Sequence, residues 1–278
     1  MEKKSKVKKV KKINELLKFV PNTLTLCNSL CGFTAILWCL GVYGKSSENN
    51  SFNYLAIAAV IILLAMIFDA LDGFAARLFN ATSMHGMQMD SLADMVTFGV
   101  APSVLVAILA HRLNEINHLQ ELPVLFIWFG CAMYLGCAAL RLATYNVHAL
   151  QEKKSSDTFY GLPSPGAASA VCIAVIFLVH DYSDNLVELA NKLTYTMPFY
   201  AGVLGLLMTS KIKYIHVGKY LANLKRNKVQ MILVFVILAL IIYKPVITLL
   251  IVINLYICSG PVMVLFNSLL RSDKKCSV

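Results

Sequence analysis

Eight apolar stretches dominate the chain, at about residues 24–43, 53–71, 88–110, 123–145, 164–180, 196–210, 229–243 and 246–266. A helix of about 20 apolar residues crosses a bilayer, so a chain built this way has little left from which to make a water-soluble core. The stretches at 196–210 and 229–243 are short, as tilted or partly buried helices are. Only Lys244 and Pro245 separate the last two, which predicts a tight hairpin. Charged residues make up 14% of the 278, against about 25% in a soluble domain. The expected fold is all-α, a polytopic membrane helical bundle of about eight transmembrane helices.

Lysine and arginine set its orientation. With the N-terminus in the cytoplasm, all but Lys45, Arg112, Lys192 and Lys244 of the 25 basic residues fall on the cytoplasmic side. So strong a bias predicts that both termini are cytoplasmic. The net charge of +10 therefore belongs to one membrane face and attracts anionic lipid; no nucleic-acid partner is expected. In the first 20 residues, Val7, Val10, Ile13, Leu17 and Val20 recur every three or four positions among lysines. That pattern predicts a basic amphipathic helix lying on the membrane surface. The eight cysteines form no CxxC pair and lie mostly inside apolar runs, so they are expected to be reduced packing residues.

Against this background the segment "DALDGFAARLFNATSMHGMQMDSLAD", Asp69 to Asp94, is anomalous. It carries four of the fifteen acidic residues in or beside membrane spans, where a carboxylate is expensive and marks a functional site by default. Phe52 to Phe68 and Met95 to Ala110 are 17 and 16 residues long, or roughly 25 Å each at about 1.5 Å per residue. The second span descends and the third ascends, so both carboxylate pairs lie near the cytoplasmic side. Asp69 and Asp72 are three apart, Asp90 and Asp94 four apart, so each pair shares a helical face. A short polar turn at about Asn80 to His85 brings the faces together.

Four converging carboxylates repel unless a cation relieves them, and hard oxygen ligands suit Mg²⁺ or Mn²⁺. Shared carboxylates can hold two ions, the arrangement used for displacement at phosphorus. A structural network on Arg77 leaves most of the charge unbalanced. A cation transporter is the stronger rival, since carboxylates also line ion paths. The intervening residues separate the two readings. Gly73, Ala76 and Gly86 clear space for a ligand, and Arg77 has a planar fork suited to phosphate oxygens. An ion path needs neither. On the first span Asn22, Thr25 and Asn28 recur at helical spacing and face one side, as nucleotide-site contacts do. Pro102 is expected to kink the third helix, and His85 to be an exposed loop residue.

The pattern Asp72-Gly73-x-x-Ala76-Arg77, eight residues, Gly86-x-x-x-Asp90-x-x-x-Asp94 resembles the signature of the CDP-alcohol phosphotransferase family at every defined position. The resemblance implies a six-helix membrane core, here at residues 21–210. The basic segment of residues 1–20 precedes it, and a basic loop, a two-helix extension and a tail follow at 211–278. It implies divalent metal at Asp69, Asp72 and Asp90, with Asp94 as general base that also touches metal. Gly73, Ala76, Arg77 and Gly86 match positions that contact the CDP moiety, and Asn22 and Thr25 are assigned to the same site. "FVPNTLTLCNSLCGF", "RLATYNV" and "YGLPSPGAA" resemble the members that take CDP-diacylglycerol and L-serine. Arg141 and Asn28 are the candidates for the acceptor or a phosphate, with a plain membrane anchor as the alternative for Arg141. Glycerol phosphate or an inositol compound remains an alternative acceptor. A homodimer in a bacterial-type inner membrane is also implied.

Overall fold

A computed structural model describes residues 19–44, 48–79, 83–116, 123–151, 161–181, 187–212, 214 and 228–275. Residues 1–18, where most of the expected surface helix lies, fall outside that set. Helices occupy all eight apolar stretches: α1 (Phe19–Leu40), α2 (Glu48–Leu78), α3 (Met84–Asp94) running through a π-helical turn (Met95–Val100) into α4 (Ala101–Ile116), α5 (Val124–Gln151), α6 (Ser164–Asp181), α7 (Val187–Thr209), α8 (Lys228–Tyr243) and α9 (Pro245–Lys275). Five helical rods among the described residues are long and apolar enough to cross a membrane: α1, α2, α3 with α4, α5 and α9. The apolar parts of α6, α7 and α8 are shorter.

α4 is the centre of the bundle. Ala101, Leu105, Val106, Leu109 and Leu113 are all buried, and it packs against α1, α2, α5, α6 and α7. Small residues such as Ala58, Ala59, Ala138, Ala167 and Ala170 fill the interfaces, which lets helix backbones approach closely where lipid supplies no hydrophobic driving force. The outer surface is the converse. On α1, Leu26, Leu30, Phe33, Leu37 and Leu40 recur at helical spacing and are exposed, as a lipid-facing stripe must be.

The third span departs from a regular helix just before Pro102, where a π-helical turn runs over Met95–Val100. Pro102 has no N–H to give the Phe98 carbonyl four residues back. The hydroxyl of Tyr134, a wholly buried residue, donates to that carbonyl at 2.9 Å. The preceding turn widens into the π form, with the Ala101 N–H bonded to Val96 five residues back. Tyr134→Phe is expected to leave the carbonyl short of a donor and to destabilise the bundle by about 1–3 kcal/mol. A lowered midpoint of thermal unfolding in detergent checks this.

At the end of α8 the chain turns sharply at Lys244, so that Thr248 Oγ1 reaches the Leu240 carbonyl at 3.1 Å. α9 then docks on the bundle. Tyr214 donates to the Ile257 carbonyl at 3.2 Å and Tyr200 to Asn254 Oδ1 at 3.0 Å. All seven described cysteines are free.

Candidate functional site

The aspartates meet where α2 ends and α3 begins. Ser83 stops the connecting turn and caps α3, accepting from the Gly86 N–H at 3.0 Å, which satisfies one of the orphan donors of the first helical turn. The polar turn is therefore shorter than expected: His85 is exposed, but it lies in the first turn of α3 and not in a loop. This places the Asp90–Asp94 face opposite the Asp69–Asp72 face. One oxygen from each of Asp69, Asp72 and Asp90 lies within 4.8 Å of the others. Asp94 completes the group from beside Asp69, at hydrogen-bonding range.

α1 supports both pairs from one side. Thr25 donates to Asp72 Oδ2 at 2.8 Å, and Asn28 Nδ2 donates to Asp94 Oδ1 at 3.2 Å. Asn28 is itself held, because Thr97 in the π turn donates to its carbonyl at 3.0 Å. That contact requires α1 and the π turn almost to touch. A Cβ on Gly32 would lie 2.6 Å from Thr97 Oγ1 and 2.8 Å from Thr97 Cα, so only glycine allows the approach. Gly32 and Thr97 were not among the residues expected from sequence to matter. The glycine in "LCGF" was a signal, since glycine inside an apolar span often marks a close helix contact.

The donor set fits a hard divalent cation. An ion with oxygens at about 2.1 Å spans opposite ligands about 4.2 Å apart, and a spread of 4.8 Å closes on it with sub-ångström rotation of the carboxylates. Asp90 Oδ1 is buried without a hydrogen-bond partner, an acceptor that needs a cation or donor to offset its desolvation. Arg77 does not supply one. Its Nε donates to the Gly73 carbonyl on its own helix at 3.0 Å, and the residue is exposed.

Space for a ligand is present beside the carboxylates. A Cβ on Gly73 would meet nothing within 4 Å, so no packing inside the bundle demands glycine there. Asn22 Oδ1 lies near Gly86, 3.6 Å from where a Cβ would sit, and Ala76 is half-buried one turn on from Asp72. If Gly73 is kept bare for a ligand, Gly73→Leu will fold as well as the parent but will raise the KM for a CDP-linked lipid at least about tenfold by steric exclusion. A lowered unfolding midpoint with unchanged KM is the opposite result.

Arg141 is not an exposed membrane anchor. It is half-buried on α5 and donates from Nη1 to Ser164 Oγ at 2.6 Å, while its Nε is buried without a partner. Its charge lies within electrostatic range of Asp94. Ser164 opens α6 because Gly161 turns the chain there with φ 81°, bonding its N–H to the Ile212 carbonyl at 2.8 Å. Five residues beyond Arg141 on α5, Asn146 Oδ1 accepts from Ser91 at 2.9 Å, which ties α3 to α5 between Asp90 and Asp94. Neither Ser164 nor Asn146 was singled out from sequence.

Known proteins resemble this chain in sequence. Over 257 residues, 91% of this chain and 94% of the relative, the sequence is 32% identical to a CDP-diacylglycerol–serine O-phosphatidyltransferase of Helicobacter pylori. Over 210 residues, 74% and 96%, it is 34% identical to one of Bacillus subtilis. An archaetidylserine synthase of Methanothermobacter thermautotrophicus is 34% identical over 167 residues, 59% and 60%. A model of the CDP-alcohol phosphatidyltransferase family matches residues 18–207, which contain all four aspartates, and the chain belongs to that family.

Proposed function

We propose that this integral membrane protein transfers the phosphatidyl group of CDP-diacylglycerol to the hydroxyl of L-serine, giving phosphatidylserine and CMP. The observation that carries the reading is the cluster of Asp69, Asp72 and Asp90, with Asp94 beside Asp69, next to open space over Gly73, in a chain similar over most of its length to serine phosphatidyltransferases. Ion transport needs no cleared floor beside the carboxylates and explains neither Gly73 nor Arg141.

The family depends on a divalent metal, and here Asp69, Asp72, Asp90 and Asp94 would hold it as two ions of Mg²⁺ or Mn²⁺. When bound, the metal supplies positive charge against the diphosphate. The protein's own groups do the rest. Gly73, Ala76 and Gly86 let the nucleotide approach the backbone, with Asn22 and Thr25 on the facing wall. Arg77 swings from the Gly73 carbonyl to a phosphate oxygen, a stronger charge-assisted bond. Asp94, held by Asn28, takes the proton of the serine hydroxyl. The serine oxygen forms its bond to the phosphorus that bears diacylglycerol, the bond from that phosphorus to the CMP oxygen breaks, and CMP leaves. Arg141 grips the serine carboxylate.

The basic residues support a site open to the cytoplasm with both termini on that side, and the bacterial relatives support an inner membrane. Membership of the family supports a homodimer. The test of function is direct. Purified protein in lipid vesicles with CDP-diacylglycerol and Mg²⁺ or Mn²⁺ receives L-serine, glycerol 3-phosphate or inositol in turn, and products are read by mass spectrometry. Phosphatidylserine is expected from serine alone. Product from glycerol 3-phosphate with none from serine overturns the reading.

A further inference from the structure

The C-terminal helix lies beyond the residues matched by the family model, yet it reaches the Arg141 side of the site. Tyr256 is the point of contact. Its ring edge lies against Gly166, with Cε1 3.8 Å from where a Cβ would sit. Gly166 belongs to the same first turn of α6 as Ser164, and Ser164 receives the Arg141 guanidinium at 2.6 Å. The Tyr256 contact is at ordinary packing distance, so the tyrosine ring lies directly on the turn that carries Ser164. Tyr256 and Arg141 lie within electrostatic range of each other, so the phenol belongs to the surroundings of the buried guanidinium as well as to the helix contact. The tyrosine is fixed in turn. Its ring packs against Tyr214 at a centroid distance of 5.7 Å, and Tyr214 is bonded to α9 through the Ile257 carbonyl.

Arg141 needs such support. Among the described residues only its Nη1 finds a hydrogen-bond acceptor, and Nε is buried without a partner. A long side chain held at one end has rotamer freedom to lose before it can grip a ligand. We propose that Tyr256 is a positioning residue for Arg141, so that the C-terminal helix tunes how firmly the site holds the carboxylate of its acceptor. The proposal rests on the reading of Arg141 as the acceptor-binding cation.

The full-length protein, reconstituted in vesicles with CDP-diacylglycerol and Mn²⁺, tests it through steady-state kinetics of Y256F, Y256A, R141K and the double variant R141K/Y256A. Y200F serves as a control that removes another bond docking α9, to Asn254, and leaves the Tyr214–Tyr256 ring contact in place. Y256A is expected to raise the KM for serine about tenfold, with Y256F part of the way, while kcat and the KM for CDP-diacylglycerol stay within about twofold. Y200F is expected to leave the serine KM unchanged. R141K alone raises the serine KM, and adding Y256A raises it little further, because coupled residues are not additive. A serine KM in both Tyr256 variants within twofold of the parent overturns the proposal, as does full multiplication of the two effects. R141K with an unchanged serine KM would sink the acceptor reading of Arg141 and the proposal with it. A Tyr256 effect on kcat or on CDP-diacylglycerol alone would leave the acceptor reading standing and overturn only the role of Tyr256.

Discussion

Asp94→Asn is expected to lower kcat by about 10²–10⁴-fold, the usual contribution of a positioned general base, with a folded protein and little change in the KM for CDP-diacylglycerol. The substitution is close to isosteric. It keeps the oxygen that receives the Asn28 amide at 3.2 Å and removes the capacity to take a proton together with one negative charge facing the metal, so the assay is run at saturating Mn²⁺. The informative comparison is with Asn28→Ala, which leaves the carboxylate chemically intact but free to turn. If Asp94 is the base and Asn28 its holder, Asn28→Ala loses less than Asp94→Asn, and the double variant is no worse than Asp94→Asn alone. Steady-state kinetics of the three variants, with circular dichroism as a check on folding, measures this. Full activity in Asp94→Asn assigns the proton to another group.

Removing divalent metal should be at least as damaging. Chelation is expected to lower turnover by at least about 10³-fold, because several kcal/mol of charge stabilisation at the diphosphate is lost. Mg²⁺ or Mn²⁺ added back should restore it. Thr25 makes the prediction specific to this site. Its hydroxyl orients Asp72 at 2.8 Å, and loss of such a supporting bond typically weakens metal affinity 10–100-fold. Thr25→Val should therefore raise the Mn²⁺ concentration needed for half-maximal activity by about that factor, with nearly normal kcat at saturating metal. Direct Mn²⁺ titration by calorimetry gives an independent reading. Unchanged metal dependence in Thr25→Val would place the ion away from Asp72.

The parts of the molecule that could be read from residues are those governed by local periodicity and by the bilayer. Apolar run length located the eight helical rods of the described residues, since lipid forces backbone groups to pair within each segment. The aspartate pairs were legible because three- and four-residue spacings map directly onto one helical face, and a short turn leaves the two faces few ways to miss each other. Asn22, Thr25 and Asn28 were legible as a stripe. What they touch was not, because Thr25 meets a residue 47 positions away and Asn28 one 66 positions away. The Arg141–Ser164 bond depends on a left-handed turn at Gly161 and on the Ile212 carbonyl it meets, contacts with no local periodicity. Pro102 correctly announced a disturbance in the third span. Its form depended on a hydroxyl from α5 and a glycine on α1, neither of which belongs to that helix.

The widened turn after Asp94 has a consequence for the phase of the helix that carries it. A residue inserted into a regular helix rotates everything downstream by about 100° relative to everything upstream. Upstream, Asp90 and Asp94 must face the carboxylates of α2; downstream, Leu105, Leu109 and Leu113 must face the bundle centre. The turn at Met95–Val100 works as a phase adjuster between two surfaces with separate demands. Deleting one residue there, even an inconspicuous valine, should cost more than most substitutions at its neighbours, because one of the two surfaces would then be turned away from its partner.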